Sequence, residues 1–200
     1  MNFNQLKQKF PGAIQSAPEE VELKRVNHWH QHSRGLGWVE DTAHVDESAH
    51  VGPDAQVYGS AYVSENAQVY GHALVSGNAR VYGNARVFEN ALVFGDALVY
   101  GNACVYGDAR VFGYARVYGD ALVYGDALVY GYAWVYGNTW VYGNTQVCGN
   151  ARVYGNAHVS NNTEVVKDSK VPDNAQVPSN TKENHFPSRM ELVVRSLFST

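Results

Sequence analysis

The chain has 200 residues, a formal net charge of −4 at pH 7 and only 17% charged residues. This length suits one domain with small end pieces, and the mildly acidic balance lacks the basic footprint of a nucleic-acid-binding protein. No stretch approaches the roughly 20 apolar residues of a membrane helix, and the polar first ten residues hold no apolar signal core. We therefore expect a cytoplasmic protein without a nucleic-acid or membrane partner.

Residues 1–37 precede a regular repeat and are expected to form an N-terminal cap. The sequence predicts a short helix around Asn4–Phe10 and a strand near Val21–His30. Because an open β-structure leaves unpaired strand edges at its ends, a cap of this kind would cover the first edge.

The segment HWHQH in this cap contains His28, His30 and His32. Alternation along a strand places all three imidazoles on one face, and histidines two residues apart can share a zinc ion. The outer two lie roughly 13 Å apart on a straight strand, so one ion would bind two of them at most. A zinc site is therefore an alternative to the interpretation that we favour, a surface or capping cluster of histidines.

From Val39 to Val177, every sixth residue is valine. A small residue, usually Ala, stands two positions before each Val, and an aromatic residue, Gly and Asn or Asp complete most hexads. Residues two apart point to the same side of a strand, whereas Gly and Asn or Asp tolerate turns and positive φ. Each hexad therefore predicts one short strand and one corner, with Val and Ala facing inward.

Hexads such as VGPDAQ at 51–56 and VYGNAR at 81–86 resemble the repeat of the hexapeptide-repeat left-handed parallel β-helix superfamily, which includes bacterial hexapeptide transferases. The resemblance implies an all-β fold, a single-stranded left-handed parallel β-helix with a triangular cross-section and three hexads per coil. Residues 38–182 would then form about eight coils. Residues 183–200 would form a C-terminal capping helix or tail, with Met190, Val193, Val194 and Leu197 on one side.

With three hexads per coil, side chains three hexads apart in the sequence stack on one another. Three files of aromatic side chains are then expected: Tyr82, Tyr100, Tyr118, Tyr136 and Tyr154; Tyr70, Phe88, Tyr106, Tyr124 and Tyr142; and Tyr58, Phe94, Phe112 and Tyr130, interrupted by Ser76. Corner asparagines such as Asn66, Asn84 and Asn102 are expected to hydrogen-bond from coil to coil. We interpret these files as structural, and a flat aromatic surface for a sugar or another planar ligand is the alternative.

The outward residue before each Val is the variable one, and in the middle coils it is often apolar. Tyr114 and Tyr132 replace Asn or Asp at one corner, where they are expected to stack. One face alternates Arg80, Leu98, Arg116, Trp134, Arg152 and Lys170. These cations could bind an anionic polymer, although we favour their pairing with corner acids such as Asp120. The candidate binding residues are Tyr114, Arg116, Tyr132, Trp134 and Trp140.

We therefore expect a non-catalytic structural or binding module with apolar and aromatic outer faces. These faces would mediate self-association, with a trimer favoured by the resemblance, or would bind a protein or polysaccharide partner. The repeat also resembles that of two enzyme classes, the acyltransferases that use acyl-CoA and the gamma-class carbonic anhydrases. The acyltransferases generally have a catalytic His near an inserted loop, but no insertion interrupts this repeat, and His72 and His158 lack a companion cluster. We assign no catalytic residue and expect no cofactor. If the protein does bind one, acyl-CoA or zinc is the alternative.

Overall fold

A computed structural model describes residues 28–160 and 162–177, and the backbone of 182–183. These residues form an all-β solenoid, and no helix occurs among them. This part of the chain accordingly has no helix that is long and apolar enough to span a membrane. The predicted helices around Asn4–Phe10 and within 183–200 fall outside the described residues, as does most of the predicted strand near Val21–His30, of which Trp29–Gln31 marks the described part.

The strands, numbered in chain order, fall into three sheets that run along the solenoid. Sheet A contains β1 (Trp29–Gln31), β2 (Trp38–Glu40), β5 (Gln56–Val57), β8 (Leu74–Val75), β11 (Leu92–Val93), β14 (Arg110–Val111), β17 (Leu128–Val129), β20 (Gln146–Val147), β23 (Glu164–Val165) and β26 (Lys182–Glu183), in that spatial order. Sheet B contains β3 (His44–Val45), β6 (Tyr62–Val63), β9 (Arg80–Val81), β12 (Leu98–Val99), β15 (Arg116–Gly119), β18 (Trp134–Gly137), β21 (Arg152–Val153) and β24 (Lys170–Val171). Sheet C contains β4 (His50–Val51), β7 (Gln68–Val69), β10 (Arg86–Val87), β13 (Cys104–Val105), β16 (Leu122–Val123), β19 (Trp140–Val141), β22 (His158–Val159) and β25 (Gln176–Val177).

From β2 onward, consecutive strands belong to consecutive sheets, so three hexads complete one coil. Each strand pairs in parallel with its counterpart in the next coil, for example Arg86 with Cys104 and Val87 with Val105. Backbone bonds continue the pairing beyond the strands, since the Phe88 amide donates to the Val105 carbonyl at 3.0 Å. The sheets of eight strands give about eight coils, which confirms the predicted fold class.

The inward positions form one continuous core of Val and Ala. From Ala49 to Ala133, every inward Val and Ala is 0% exposed. Val45 is only partly buried. It lies on β3, the first strand of sheet B, which has no strand on its N-terminal side within the described residues.

The corners depend on backbone conformations that favour glycine. Gly101 has a φ of 73°, and a Cβ there would lie 3.0 Å from the backbone nitrogen of Gly119 in the next coil. Glu89 adopts a φ of 59° at an equivalent position, and its Oε2 accepts a bond from the Gly107 amide at 2.8 Å. This contact with the next coil offsets the cost of the left-handed conformation.

The aromatic and asparagine files form as the spacing predicts. Rings in successive coils stack with centroids 4.8–5.0 Å apart in most pairs, as in the pair of Tyr100 and Tyr118 at 4.8 Å. At the corner between sheets B and C, the side-chain amide of Asn84 donates to Oδ1 of Asn102. The Nδ2 of Asn102 in turn donates to Oδ1 of Asp120. The series of bonds is interrupted at Asp120 because a carboxylate has no donor to pass to the next coil, and it resumes at Asn138, whose side-chain amide donates to Oδ1 of Asn156.

The N-terminal end of the solenoid is covered by the chain that precedes it. β1 pairs antiparallel with β2 and covers the first edge of sheet A. Residues 32–37 then cross the end, where the Gly37 amide donates to the Val51 carbonyl and the Val51 amide donates to the Arg34 carbonyl. Trp38, which follows this segment, is only 5% exposed. These bonds satisfy the backbone of β4, the first strand of sheet C.

Four inward positions carry a hydroxyl where other hexads have Ala. Thr145 donates to the Tyr142 carbonyl at 2.6 Å, and Ser169 makes the corresponding bond to the Val166 carbonyl. The Oγ1 of Thr139 is buried without a hydrogen-bond partner among the described residues. A buried hydroxyl without a partner destabilises the folded state relative to an apolar group of the same shape.

Substitution of Thr139 by Val should therefore raise the free energy of unfolding by about 1 kcal/mol, because it removes an unpaired hydroxyl and keeps the side-chain shape. The matched Thr145→Val variant loses a hydrogen bond and should be less stable than the wild type by a similar amount. Urea denaturation of the three proteins measures both changes. Equal changes of the same sign in the two variants would contradict this account of the inward hydroxyls.

The aromatic file of sheet A also makes stability dependent on alkaline pH. An interaction with the Cys148 side chain, followed by burial, raises the pKa of Tyr130 from 10.0 to about 12. The folded state then retains a proton that the unfolded state loses, so stability should fall as the pH rises from 10 to 12. Tyr130→Phe should flatten this fall in urea titrations, whereas Tyr132→Phe, at an exposed corner, should not. An unchanged pH dependence in Tyr130→Phe would refute the role of this hydroxyl.

Candidate functional site

Four of the five candidate binding residues lie together on one side of the solenoid. Arg116 and Trp134 begin β15 and β18 and point outward from sheet B. Tyr114 and Tyr132 stand two residues before them, at the corner between sheets A and B. Tyr118 and Tyr136 point outward two residues after Arg116 and Trp134 on the same strands. We call these six residues the sheet B platform.

The two strands that support the platform are longer than the other strands of the solenoid. β15 and β18 each contain four residues, whereas their neighbours in sheet B contain two. Their pairing extends to Tyr118 with Tyr136 and Gly119 with Gly137. The backbone is therefore most extensively paired where the platform side chains stand, which favours a fixed arrangement of those side chains.

The centre of the platform is a stack of two arginines on one tryptophan. The Cζ of Arg116 lies 5.0 Å from the ring centroid of Trp134, and the Cζ of Arg152 lies 4.9 Å from it. Because the two arginines come from the coils on either side of Trp134, they cover opposite faces of its ring. The expected pairing of these cations with corner acids such as Asp120 is wrong: no described carboxylate forms an ion pair with Arg116 or Arg152.

Arg152 was not among the candidate binding residues, although its sequence position contained the signal. It stands one coil after Trp134, and this spacing stacks it on that ring. Tyr118 and Tyr136 were likewise assigned only to an aromatic file.

Tyr114 and Tyr132 stack as predicted, with ring centroids 4.9 Å apart and planes 4° apart. They are 52% and 58% exposed. At the same corner, Asn78 donates to Asp96 before them and Asn150 donates to Asp168 after them. At this corner, an exposed pair of stacked rings thus takes the place of a hydrogen bond between the side chains of two successive coils.

The aromatic files present ring edges to solvent rather than ring faces. Tyr100, Tyr118 and Tyr136 stack with planes 2–3° apart, so the faces inside the file cover one another. The alternative of a flat aromatic surface is therefore wrong for the interior of a file, which offers a row of hydroxyls instead. Burial raises the pKa of Tyr118, with neighbouring tyrosines adding to the effect and Arg116 opposing it, so the Tyr118 hydroxyl stays protonated at neutral pH.

The outward side chains leave a groove along sheet B between the file of Arg80, Leu98 and Arg116 and the file that starts at Tyr82. At the N-terminal end, Ser64 replaces an aromatic residue and the groove widens into an open depression of about 390 Å³. Tyr62, Arg80, Tyr82 and Leu98 line it, together with Asp46, Ser64 and Glu65.

Trp140, the fifth candidate, belongs to a different face. It points outward from β19 in sheet C, is 42% exposed, and stacks on His158 with centroids 4.7 Å apart. Leu122 and Cys104 precede it in the same file. This file carries no charged side chain between Cys104 and Trp140.

The three histidines of the HWHQH segment do not form one cluster. His28 and His30 both approach Asp41, with His30 Nδ1 2.9 Å from Oδ1. β1 ends at Gln31, and His32 turns into the end of the solenoid, where Nε2 lies 3.1 Å from the Asp46 carbonyl. Within the described ranges, no group of three or more His, Cys, Asp or Glu side chains is arranged to hold a metal ion.

His72 and His158, the histidines within the regular coils, lie in different surroundings. His72 is exposed at a corner, and His158 is partly buried against Trp140. Strands recur every six residues from β2 to β25, so no inserted loop forms a cleft beside either of them.

Comparison with known proteins supports the fold at the level of the repeat. The family model described as YdcK Beta solenoid repeat matches residues 67–82, 79–93, 103–119, 115–131, 121–137 and 145–161. The chain is a β-solenoid repeat protein. No curated protein matches it significantly. The matched repeats include both strands of the sheet B platform, so the platform is a local variation within regular coils of the solenoid.

Proposed function

We propose that this solenoid is a non-catalytic structural module that self-associates through the outer face of sheet C. The observation that carries the proposal is Trp140, an exposed tryptophan at the end of a stretch of its file, from Cys104 through Leu122, that has no charged side chain. The adjacent file of Tyr106, Tyr124 and Tyr142 widens this surface with stacked rings. Exposed apolar and aromatic surface of this kind is typical of protein contacts, in which tryptophan often contributes most of the binding energy.

The shape of the solenoid favours a second copy of the chain as the partner. The strands of sheet C follow one another in unbroken order along the solenoid, so two copies aligned along their axes can bring the same residues together over several coils. Closed symmetric assemblies are the common outcome for identical chains. We propose a trimer, in agreement with the resemblance of the hexads to the hexapeptide β-helix proteins.

The acyltransferase alternative rests on that resemblance and on one further observation. His158 stacks on Trp140 and would therefore lie at the proposed boundary between subunits, where the hexapeptide acyltransferases generally have a catalytic histidine. Titration of the assembled protein with acetyl-CoA distinguishes the two functions. Stoichiometric binding that is lost in His158→Asn would favour the acyltransferase, and no heat of binding is expected for the structural module.

Replacement of Trp140 by Glu should weaken self-association, because it removes the anchor and places a charge in the contact. A loss of about 2 kcal/mol is typical of such an anchor and would raise the dissociation constant about 30-fold. Sedimentation velocity over a range of concentrations measures this change. The control Tyr62→Glu places the same charge at an exposed aromatic position of sheet B, away from the proposed contact, and should leave the assembly intact. A wild-type protein that stays monomeric at high concentration would contradict the proposal.

A further inference from the structure

We infer that the outer face of sheet B is a binding site for an extended acidic polysaccharide. Arg116 and Arg152, held in place by Trp134, would be its principal anion-binding residues. This surface is separate from the face of sheet C, so the inference does not depend on self-association of the chain.

The charge of sheet B favours an anionic ligand. The outward file of sheet B contains four cations, Arg80, Arg116, Arg152 and Lys170, and no acidic residue. Within the part of the chain that the structure describes, no carboxylate forms an ion pair with any of the four. The whole chain has a net charge of −4, so this cationic file is a local departure from its overall balance. Uncompensated guanidinium groups favour an anionic partner.

The spacing of the cations favours a ligand whose charges are widely separated. Arg116 and Arg152 lie on opposite faces of Trp134, which separates their charges by two coils, or about 10 Å at the usual strand spacing. Arg80 stands two coils before Arg116. One strand of nucleic acid carries a charge about every 3.4 Å along its helix, which is much denser than this file. An extended glycan advances by close to one coil per sugar, so in a chain with an acidic group on each sugar the groups of every second sugar fall at the spacing of the cations.

The site is organised before any ligand binds. Each guanidinium is held against the indole ring, which lowers the entropy that Arg116 and Arg152 lose on binding. Both arginines remain exposed, so their outer N–H groups can donate two parallel bonds to a carboxylate or sulfate. Lysine would provide the charge without this planar pair of donors.

The surroundings of the arginines suit a sugar chain. Tyr118, Tyr136 and Tyr154 form a row of stacked rings beside them, and their hydroxyls can donate to or accept from sugar hydroxyls. On the other side stand the exposed rings of Tyr114 and Tyr132. The carboxylates of Asp46 and Glu65 border the depression at the N-terminal end. They would repel an acidic polymer there and confine it to the coils from Arg80 onward.

The test is a binding titration of the full chain with polygalacturonate as the acidic polysaccharide, dextran as the neutral one and an oligothymidylate as single-stranded nucleic acid. The Arg116→Gln/Arg152→Gln double variant removes the paired charges from sheet B. The Arg86→Gln/Arg110→Gln double variant is the matched control, because it removes the same two charges from equivalent exposed positions of sheets C and A. Thermal unfolding checks that both variants fold.

We expect polygalacturonate to bind, dextran not to bind, and added salt to weaken binding. The sheet B double variant should weaken binding about tenfold or more, as expected for the loss of charge-assisted bonds, while the control double variant binds as the wild type does. Trp140→Glu should also bind as the wild type, which separates this inference from the proposal of self-association. Three results would overturn it: no binding of polygalacturonate, equal weakening in both double variants, or tighter binding of oligothymidylate through the same arginines.

Discussion

The backbone ladder between coils is the interaction on which the rest of this structure depends. Each strand within the solenoid is hydrogen-bonded to its counterparts in the coils before and after it. The inward Val and Ala side chains of successive coils form one core. Once this register is fixed, every outward side chain lies one strand spacing from the equivalent residue of the next coil. Stacked tyrosines and asparagine amides that donate along a corner are consequences of that single constraint.

The same constraint explains why the surface of the protein is organised in files that run along the solenoid. The side chain of a residue that departs from the repeat contacts the equivalent residues of the adjoining coils rather than its neighbours in sequence. Trp134 illustrates this effect, since the residues on its ring are Arg116 and Arg152. The three faces can therefore carry different chemistry without altering the common core: the outward file of sheet C has no charged side chain from Cys104 to Trp140, and that of sheet B is cationic.

Most of the fold could be predicted from the sequence because the valine spacing and the glycine corners repeat without interruption. Chain ends were harder to predict: Val45 is incompletely buried because no strand among the described residues lies before β3 in sheet B, and His32 leaves the line of His28 and His30 because β1 ends at Gln31. The spacing of three hexads per coil predicted the stack of Tyr114 on Tyr132. It could not predict that Arg116 prefers the face of Trp134 to the carboxylate of Asp120, since that choice depends on side-chain conformations.

The central claim is that the register of three hexads per coil specifies this structure, and deletion of one coil tests it most directly. Removal of residues 85–102 joins Asn84 to Ala103 and restores the repeat, so the shortened protein should keep the β-sheet signal in circular dichroism and a cooperative unfolding transition. Removal of residues 85–101 leaves one extra residue, which turns every later valine away from the core until the chain readjusts, and that protein should lose cooperative unfolding. Equal behaviour of the two deletion variants would contradict the account.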